Sequence, residues 1–224
     1  RGITRLDEVI LSHADQDHYG ALPDLLDRFR IGAVVVPPGF VSEANPGAEV
    51  LLKLVRGRGI PIRTIAAPAS WQHGSTRFRV MHPPAGWHPE ASDNARSLVL
   101  EVEHGGRCLL LTGDLDQQGV VELASQPPVN SPIDLMLAPH HGGKTANTSI
   151  LYDWAKPRTV MVSQRMPSPG TNDALMPLER SGIPLLRTWQ RGAVHFRWRL
   201  DQIVTEGFLD QRDASRSRFF LRGK

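Results

Sequence analysis

A single cysteine in 224 residues leaves no internal disulfide to build. Cys108 lies in the apolar run Cys108-Leu109-Leu110-Leu111, where it reads as a small core residue. No apolar stretch approaches the roughly 18–20 residues of a membrane span, so the chain by itself is expected to be soluble. The opening residues carry no signal-peptide pattern, and the first of them is not methionine. Arg1-Gly2-Ile3-Thr4-Arg5 runs straight into a strand pattern, and the sequence reads as part of a longer polypeptide. Charge imbalance is slight: a formal net charge of +3 says little by itself about nucleic acid. Repeats, heptads and low-complexity tracts are absent. What remains is globular material, 40% hydrophobic and 22% charged, enough for one sizeable α/β domain. Proline and glycine are scattered at element ends rather than gathered into a linker. Residues 1–205 are therefore read as one domain, and 206–224 as a basic tail carrying Arg212, Arg216, Arg218, Arg222 and Lys224.

Short apolar strands alternate with amphipathic helices. Glu8–Ser12 reads as a strand that stops at His13. Leu22, Leu25, Leu26 and Phe29 recur at helical spacing from Tyr19 onward and lead to the strand Ala33–Val36. A helix over Ala48–Arg56 is expected to present Val50, Leu51, Leu54 and Val55 on one face, followed by an edge strand at Ile60-Pro61-Ile62. Thr76–Met81 is strand-like, and Ser97–Val102 turns at His104-Gly105-Gly106 to return as Cys108–Leu111. Ile133–Ala138 and Thr159–Val162 follow as strands, with helices near Ser149–Ala155 and Ala174–Arg180. The closing hairpin places Val194, Phe196, Trp198 and Leu200 on one side and His195, Arg197 and Arg199 on the other.

The chemistry gathers at strand ends. His13, Asp15, Asp17 and His18 occupy six consecutive residues, a density of ligating groups that is costly to bury without a cation. A helix N-cap would account for one aspartate and leave the other carboxylate and two histidines unexplained. Leu109-Leu110-Leu111-Thr112-Gly113-Asp114 ends a second strand, and Pro139-His140-His141-Gly142-Gly143 follows a third. Thr-Gly-Asp alone is a common turn, and paired histidines on a glycine-rich loop are also compatible with a solvated loop. Together the three strand ends supply a donor set suited to two cations bridged by one carboxylate.

These residues resemble the metallo-β-lactamase superfamily, with its His-x-(His or Asp)-x-Asp-His hallmark. More closely, the chain is similar to the C-terminal hydrolase domain of ComEC-type DNA-internalisation (competence) proteins. The matching segments are Leu11–Gly20, Asp93–Leu100, Leu111–Leu115 and Ala138–Thr145. The resemblance implies an αββα sandwich, here expected to lack its N-terminal strands because the family's Asp-Val-Gly-Gln-Gly-Asp-like opening is absent. It implies that His13 and Asp15 hold one divalent ion, that Asp17, His18 and His141 hold a second, and that Asp114 bridges them. Zn or Mn would serve, and no small organic cofactor is expected. His140 would touch the scissile phosphate or stand just behind it, and Asn94, Ser97 and Lys144 would bind substrate. Asp17 would orient an attacking water and His140 assist the leaving group. One loop departs from the family: after Thr159–Val162, where the family carries Gly, Asn, Tyr and His-Pro, the chain reads Ser163-Gln164-Arg165-Met166-Pro167-Ser168-Pro169-Gly170, without histidine.

The implied function is a metal-dependent nuclease or phosphodiesterase domain of a DNA-uptake protein. DNA would be its substrate, and a membrane channel portion of the same polypeptide would lie upstream. The domain would then sit on the outer side of an inner membrane, or in the cytoplasm if it stands alone. Two other readings stay open: a stand-alone hydrolase of a small phosphodiester or ester, and a DNA-docking module with a vestigial metal site. Arg187, Arg191, Arg197 and Arg199, interleaved with Trp189 and Trp198, form either a nucleic-acid face or an ordinary charged outer face. His73, His88, His104 and His195 read as loop or solvated positions, and His82, before Pro83-Pro84, ends a strand.

Overall fold

The computed structural model describes residues 2–42, 45–86, 91–127, 132–168, 173–199 and 202–210. His88, Leu200, Pro169, Gly170 and the basic residues from Arg212 onward lie outside the described residues.

The first sheet is parallel, with β1 (Arg5–Ile10), β2 (Arg30–Val36) and β3 (Ile62–Thr64) side by side in that order. Val34, Val35 and Val36 of β2 are all buried, as befits a central parallel strand covered on both faces. The periodic segment after the site loop forms two helices, α1 (Gln16–Tyr19) and α2 (Leu22–Arg28), rather than one. Gly20 N–H closes the first turn onto Gln16 O, and Pro23, which has no N–H to offer, suits the first turn of a new helix. Helix α3 (Pro46–Gly57) is capped by Asn45, whose Oδ1 accepts from Ala48 N–H at 3.2 Å. Its buried stripe is Ala48, Leu51, Leu52 and Val55, the i, i+3, i+4, i+7 set counted from Ala48. Val50 and Leu54, expected on that face, are exposed.

The second sheet has seven strands. β4 (Ser70–His73), β5 (Thr76–His82), β6 (Val99–His104) and β7 (Arg107–Leu111) form an antiparallel meander. The sheet then continues in parallel through β8 (Leu135–Leu137), β9 (Val160–Val162) and β10 (Leu185–Arg187). Helices α4 (Gln117–Ser125), α5 (Ser149–Ala155) and α6 (Met176–Arg180) link the parallel strands. Val120, Leu123, Leu151, Tyr152 and Trp154 pack against Val99, Leu110, Met136 and Val160 on the outer face of this sheet. Leu22, Leu26, Leu51 and Val55 do the same against Leu11, Val34 and Val36 of the first. Val80, Leu98 and Leu100, joined by Ile10, Ile65, Trp71 and Phe78, fill the space between the sheets. The result is helix–sheet–sheet–helix.

A short helix α7 (Thr188–Arg191) leads to the hairpin of β11 (Val194–Arg199) and β12 (Gln202–Gly207), which alternates as the sequence predicts. Its basic residues are partly paired: Arg197 lies 3.4 Å from Glu206. Of the other arginines in that stripe, Arg191 contacts Asp210 and Arg187 is buried 2.6 Å from Asp173. No helix among the described residues is long and apolar enough to cross a membrane.

Candidate metal centre

β1 ends at Ile10, and Leu11 N–H still bonds Val35 O at 2.9 Å, so the chain leaves the sheet with His13 buried at its rim. The loop is fastened on both sides. Leu98 N–H donates to Ser12 O at 2.7 Å, and Asn45 Nδ2 donates to Ala14 O, tying the helix cap to the site. Asp114 is brought in by a turn at Gly113, whose φ of +53° favours glycine. A Cβ at that position would stand 2.9 Å from Cβ of Ser12 and 3.2 Å from that of Ser97. His140 and His141 follow β8 with φ of 48° and 52°, and Gly142 continues at 83°. Two adjacent non-glycine residues in the left-handed region are the kind of local strain found where a side chain must be aimed.

Asp17, His18, Asp114 and His141 converge, with one donor atom from each lying within 4.8 Å of the others. Asp114 Oδ1 is 3.2 Å from His18 Nε2, and its Oδ2 is 3.3 Å from His141 Nε2. Asp17 Oδ2 lies 3.4 Å from His141 Nε2 and 3.7 Å from His18 Nε2. The other pair is looser: His13 Nε2 is 3.4 Å from Asp15 Oδ2, and the His13 and His18 rings stand 4.1 Å apart.

The residues fit divalent cations. His13 Nε2 and His18 Nε2 are buried without a hydrogen bond of acceptable angle. Ser12 Oγ lies 3.0 Å from His13 Nδ1 and 3.2 Å from His18 Nδ1. A hydroxyl oxygen can accept from both Nδ1–H groups, which leaves both Nε2 lone pairs facing the carboxylates. His141 Nδ1 lies 2.8 Å from Ser163 O; a carbonyl only accepts, so Nδ1 carries the proton and Nε2 is again the ligating atom.

Without a cation these groups share protons among themselves. Burial pushes the Asp114 carboxyl up, but the 3.2 Å contact with His18 Nε2 and the charges of His18, His141 and His13 outweigh it and hold it low. His18 is raised, chiefly by that contact with Asp114. His13 is lowered, first by burial and then by the charge of His18.

The remaining predicted residues take different places. Ser97 is fully buried; its Oγ accepts from Asp114 N–H at 3.2 Å, so it supports the aspartate from behind instead of facing the opening. Asn94 is half-buried with its Oδ1 enclosed and without a partner. His140 is half-buried with Nδ1 likewise unpartnered, outside the cluster of four. Lys144 is exposed and lines a cleft of about 710 Å³ with His141, Ser163, Gln164, Arg165 and Asp173. His82 is fully buried, its Nδ1 donating to Ser97 O at 3.0 Å. Sequence reasoning passed over Ser12 and Ser163. The signal for Ser12 was its place beside the motif, because a ligating imidazole needs an acceptor at its other nitrogen.

The Metallo-beta-lactamase superfamily profile matches residues 1–163. The chain belongs to this superfamily. Two relatives match over more of the chain. The "ComE operon protein 3" of Bacillus subtilis (strain 168) is 36% identical over 204 residues, covering 89% of this chain and 25% of that protein. The "Competence protein ComA" of Neisseria gonorrhoeae is 28% identical over 201 residues, covering 87% and 26%. The chain thus spans about a quarter of the length of the curated relatives it matches. Among solved structures, CmlA, a diiron β-hydroxylase from Streptomyces venezuelae, superposes with a TM-score of 0.53 at 17% identity, over 82% of this chain and 44% of that one. That likeness shows a shared fold alone; the profile match identifies it as the metallo-β-lactamase sandwich.

Proposed function

We propose that this chain is a divalent-cation-dependent phosphodiesterase domain acting on DNA, part of a longer competence protein. One observation carries the hydrolase reading: Asp17, His18, Asp114 and His141, from three separate segments, aim donor atoms at one volume. Two cations, Zn or Mn, would be held there. His13 and Asp15 would take one, Asp17, His18 and His141 the other, and Asp114 would lie between them. Bound cations of this kind supply Lewis acidity, activating water near neutral pH and neutralising charge that builds on a phosphoryl group.

The chain's own residues do the rest. Asp17, whose side chain is 65% exposed, presents its carboxylate to the open side, where it can accept a hydrogen bond from an attacking water. His140, beside His141, is the group available to deliver a proton to the leaving oxygen. Lys144 and Arg165 on the cleft wall set positive charge beside the site, which suits a polyanion. DNA as the substrate draws its support from the relative named a competence protein. The quarter-length match supports a place within a larger polypeptide. In this reading a membrane channel portion would lie upstream and the domain would sit on the outer side of the membrane.

The test is hydrolysis by the metal-replete chain of single-stranded DNA, double-stranded DNA and a small aryl phosphodiester, with a chelator control. Chelator-sensitive cleavage of DNA is expected. Cleavage of the small diester alone would redirect the substrate, and no cleavage of any of the three would overturn the hydrolase reading.

A further inference from the structure

The loop after β9, which lacks the family's histidine, is not an idle replacement. Ser163 O accepts from His141 Nδ1–H at 2.8 Å, and the next residue reaches the same histidine from the other side. With its amide nitrogen turned toward His141, Gln164 donates to His141 O at 3.1 Å. Its oxygen then accepts from Arg187 Nη1 at 3.1 Å and Trp189 Nε1 at 3.3 Å. The Gln164 backbone is fixed as well: its N–H donates to Thr188 Oγ1 at 3.0 Å, and that hydroxyl donates back to Gln164 O at 3.0 Å. Arg187, 4% exposed, is anchored by Asp173 at 2.6 Å with Glu179 at 3.7 Å. Gly142 leaves no slack: a Cβ there would come within 3.0 Å of Val162 and 3.1 Å of the Gln164 amide.

We propose that Gln164 is a positioning residue for His141. It clamps the backbone carbonyl of a strained histidine to the buried Arg187, itself paired with Asp173, so that Nδ1–H stays on Ser163 O and Nε2 stays aimed at Asp17 and Asp114. The physical need is plain. His141 sits at φ 52°, its side chain is 43% exposed, and nothing in the local helix preference would hold its ring in place. An anchored carbonyl on one side and a fixed acceptor on the other do so. The inference rests on the reading of His141 as a cation ligand, and it explains how this chain keeps that ligand oriented with a loop unlike its family's.

The experiment uses the ring-nitrogen NMR signals of histidine-labelled chain, cation-free, at about pH 8. Wild-type His141 is expected as the Nδ1–H tautomer. Gln164→Leu, which keeps the side chain's bulk and removes its hydrogen bonds, is expected to shift His141 toward Nε2–H. In a second arm, Mn²⁺ affinity is expected to fall roughly tenfold or more in the variant. Trp189→Phe removes one donor to Gln164 at a partly exposed position and gives a smaller change in the same direction; it decides the matter if Gln164→Leu does not fold. An unchanged His141 tautomer in a folded variant, or a wild-type His141 that is not Nδ1–H, overturns the proposal. A wild type that binds no cation but loses its Nδ1–H tautomer on substitution sinks the metal reading and leaves the clamp standing.

Discussion

The two halves of the metal motif come from one hexapeptide and reach different degrees of closure. Asp17 and His18 meet Asp114 and His141, so that three segments of the fold contribute to one cluster. His13 and Asp15 face each other across 3.4 Å, and Asp114, the carboxylate from outside the hexapeptide, already points one oxygen at His18 and the other at His141. Burial does not follow this division: buried His13 is paired with Asp15, whose side chain is 41% exposed, and buried Asp114 with His141, whose side chain is 43% exposed. His13 is held by the packing of a strand end, whereas His141 is held by convergence and by hydrogen bonds to loops. How firmly a donor is held and how many donors surround it are therefore separate properties of this site.

The largest predicted effect tests whether the halves are unequal. Asp17→Ala should remove a donor from the closed cluster and lower kcat/KM for a phosphodiester by on the order of a thousandfold, with the fold retained. Asp15→Ala should cost about ten- to a hundredfold and reduce the bound cation count by one, leaving the Asp17 cluster occupied. Kinetics with equilibrium dialysis and metal analysis reads both. Equal losses for the two variants would erase the distinction, and robust cation-dependent activity in Asp17→Ala would remove that residue from the chemistry.

Much of this arrangement was legible in the sequence, for identifiable reasons. A ligand-dense hexapeptide after an apolar strand has few inexpensive explanations, so His13–His18 pointed to a candidate cation site. The buried runs leading to Asp114 and His140-His141 placed the other donors at strand ends. What could not be read were the supports. The role of Ser97 depends on a contact with Asp114 N–H across 17 residues, and that of Gln164 on Arg187 and Trp189 more than 20 residues away. Nor does local propensity reveal that Gly113 is needed because Ser12 and Ser97 press on it. Fold details were lost where the pattern was weak. Ser70–His73 is a mostly polar edge strand, and Gln117–Ser125 carries a glycine in mid-helix, its start marked only by the Asp116 cap. The break between α1 and α2 was missed because the apolar spacing continues across Gly20.

The next effect concerns a support that both halves share. His82 donates to Ser97 O, and burial lowers its pKa to about 4 from 6.5. Above about pH 6.5 the ring is neutral in folded and unfolded chains alike, and its contribution is fully present. As pH falls from there toward 4, the unfolded chain takes up a proton that the folded one refuses, so stability is lost, by on the order of 3 kcal/mol across the window. Denaturant unfolding at a series of pH values should show this slope in the wild type and a flatter one in His82→Gln. The difference between the two curves isolates His82, because the raised His18 contributes with the opposite sign: stability present at low pH and lost as pH rises through its folded value. Parallel curves would mean that the imidazole is not held neutral behind the site.

The smallest effect sharpens the comparison most, because it touches the residue on which the halves meet. Ser97→Ala removes the acceptor from Asp114 N–H, at a cost of about 1 kcal/mol of stability. Its consequence for cations should be uneven. Both Asp114 oxygens face ligands of the closed half, so a loosened Asp114 should weaken that half's cation by roughly tenfold, while the cation held by His13 and Asp15 changes less. Stepwise Mn²⁺ titration distinguishes the two sites by affinity. If instead the His13–Asp15 cation weakens as much or more, then Asp114 serves both ions equally, and the open geometry of that half understates how closely it is coupled to its neighbour.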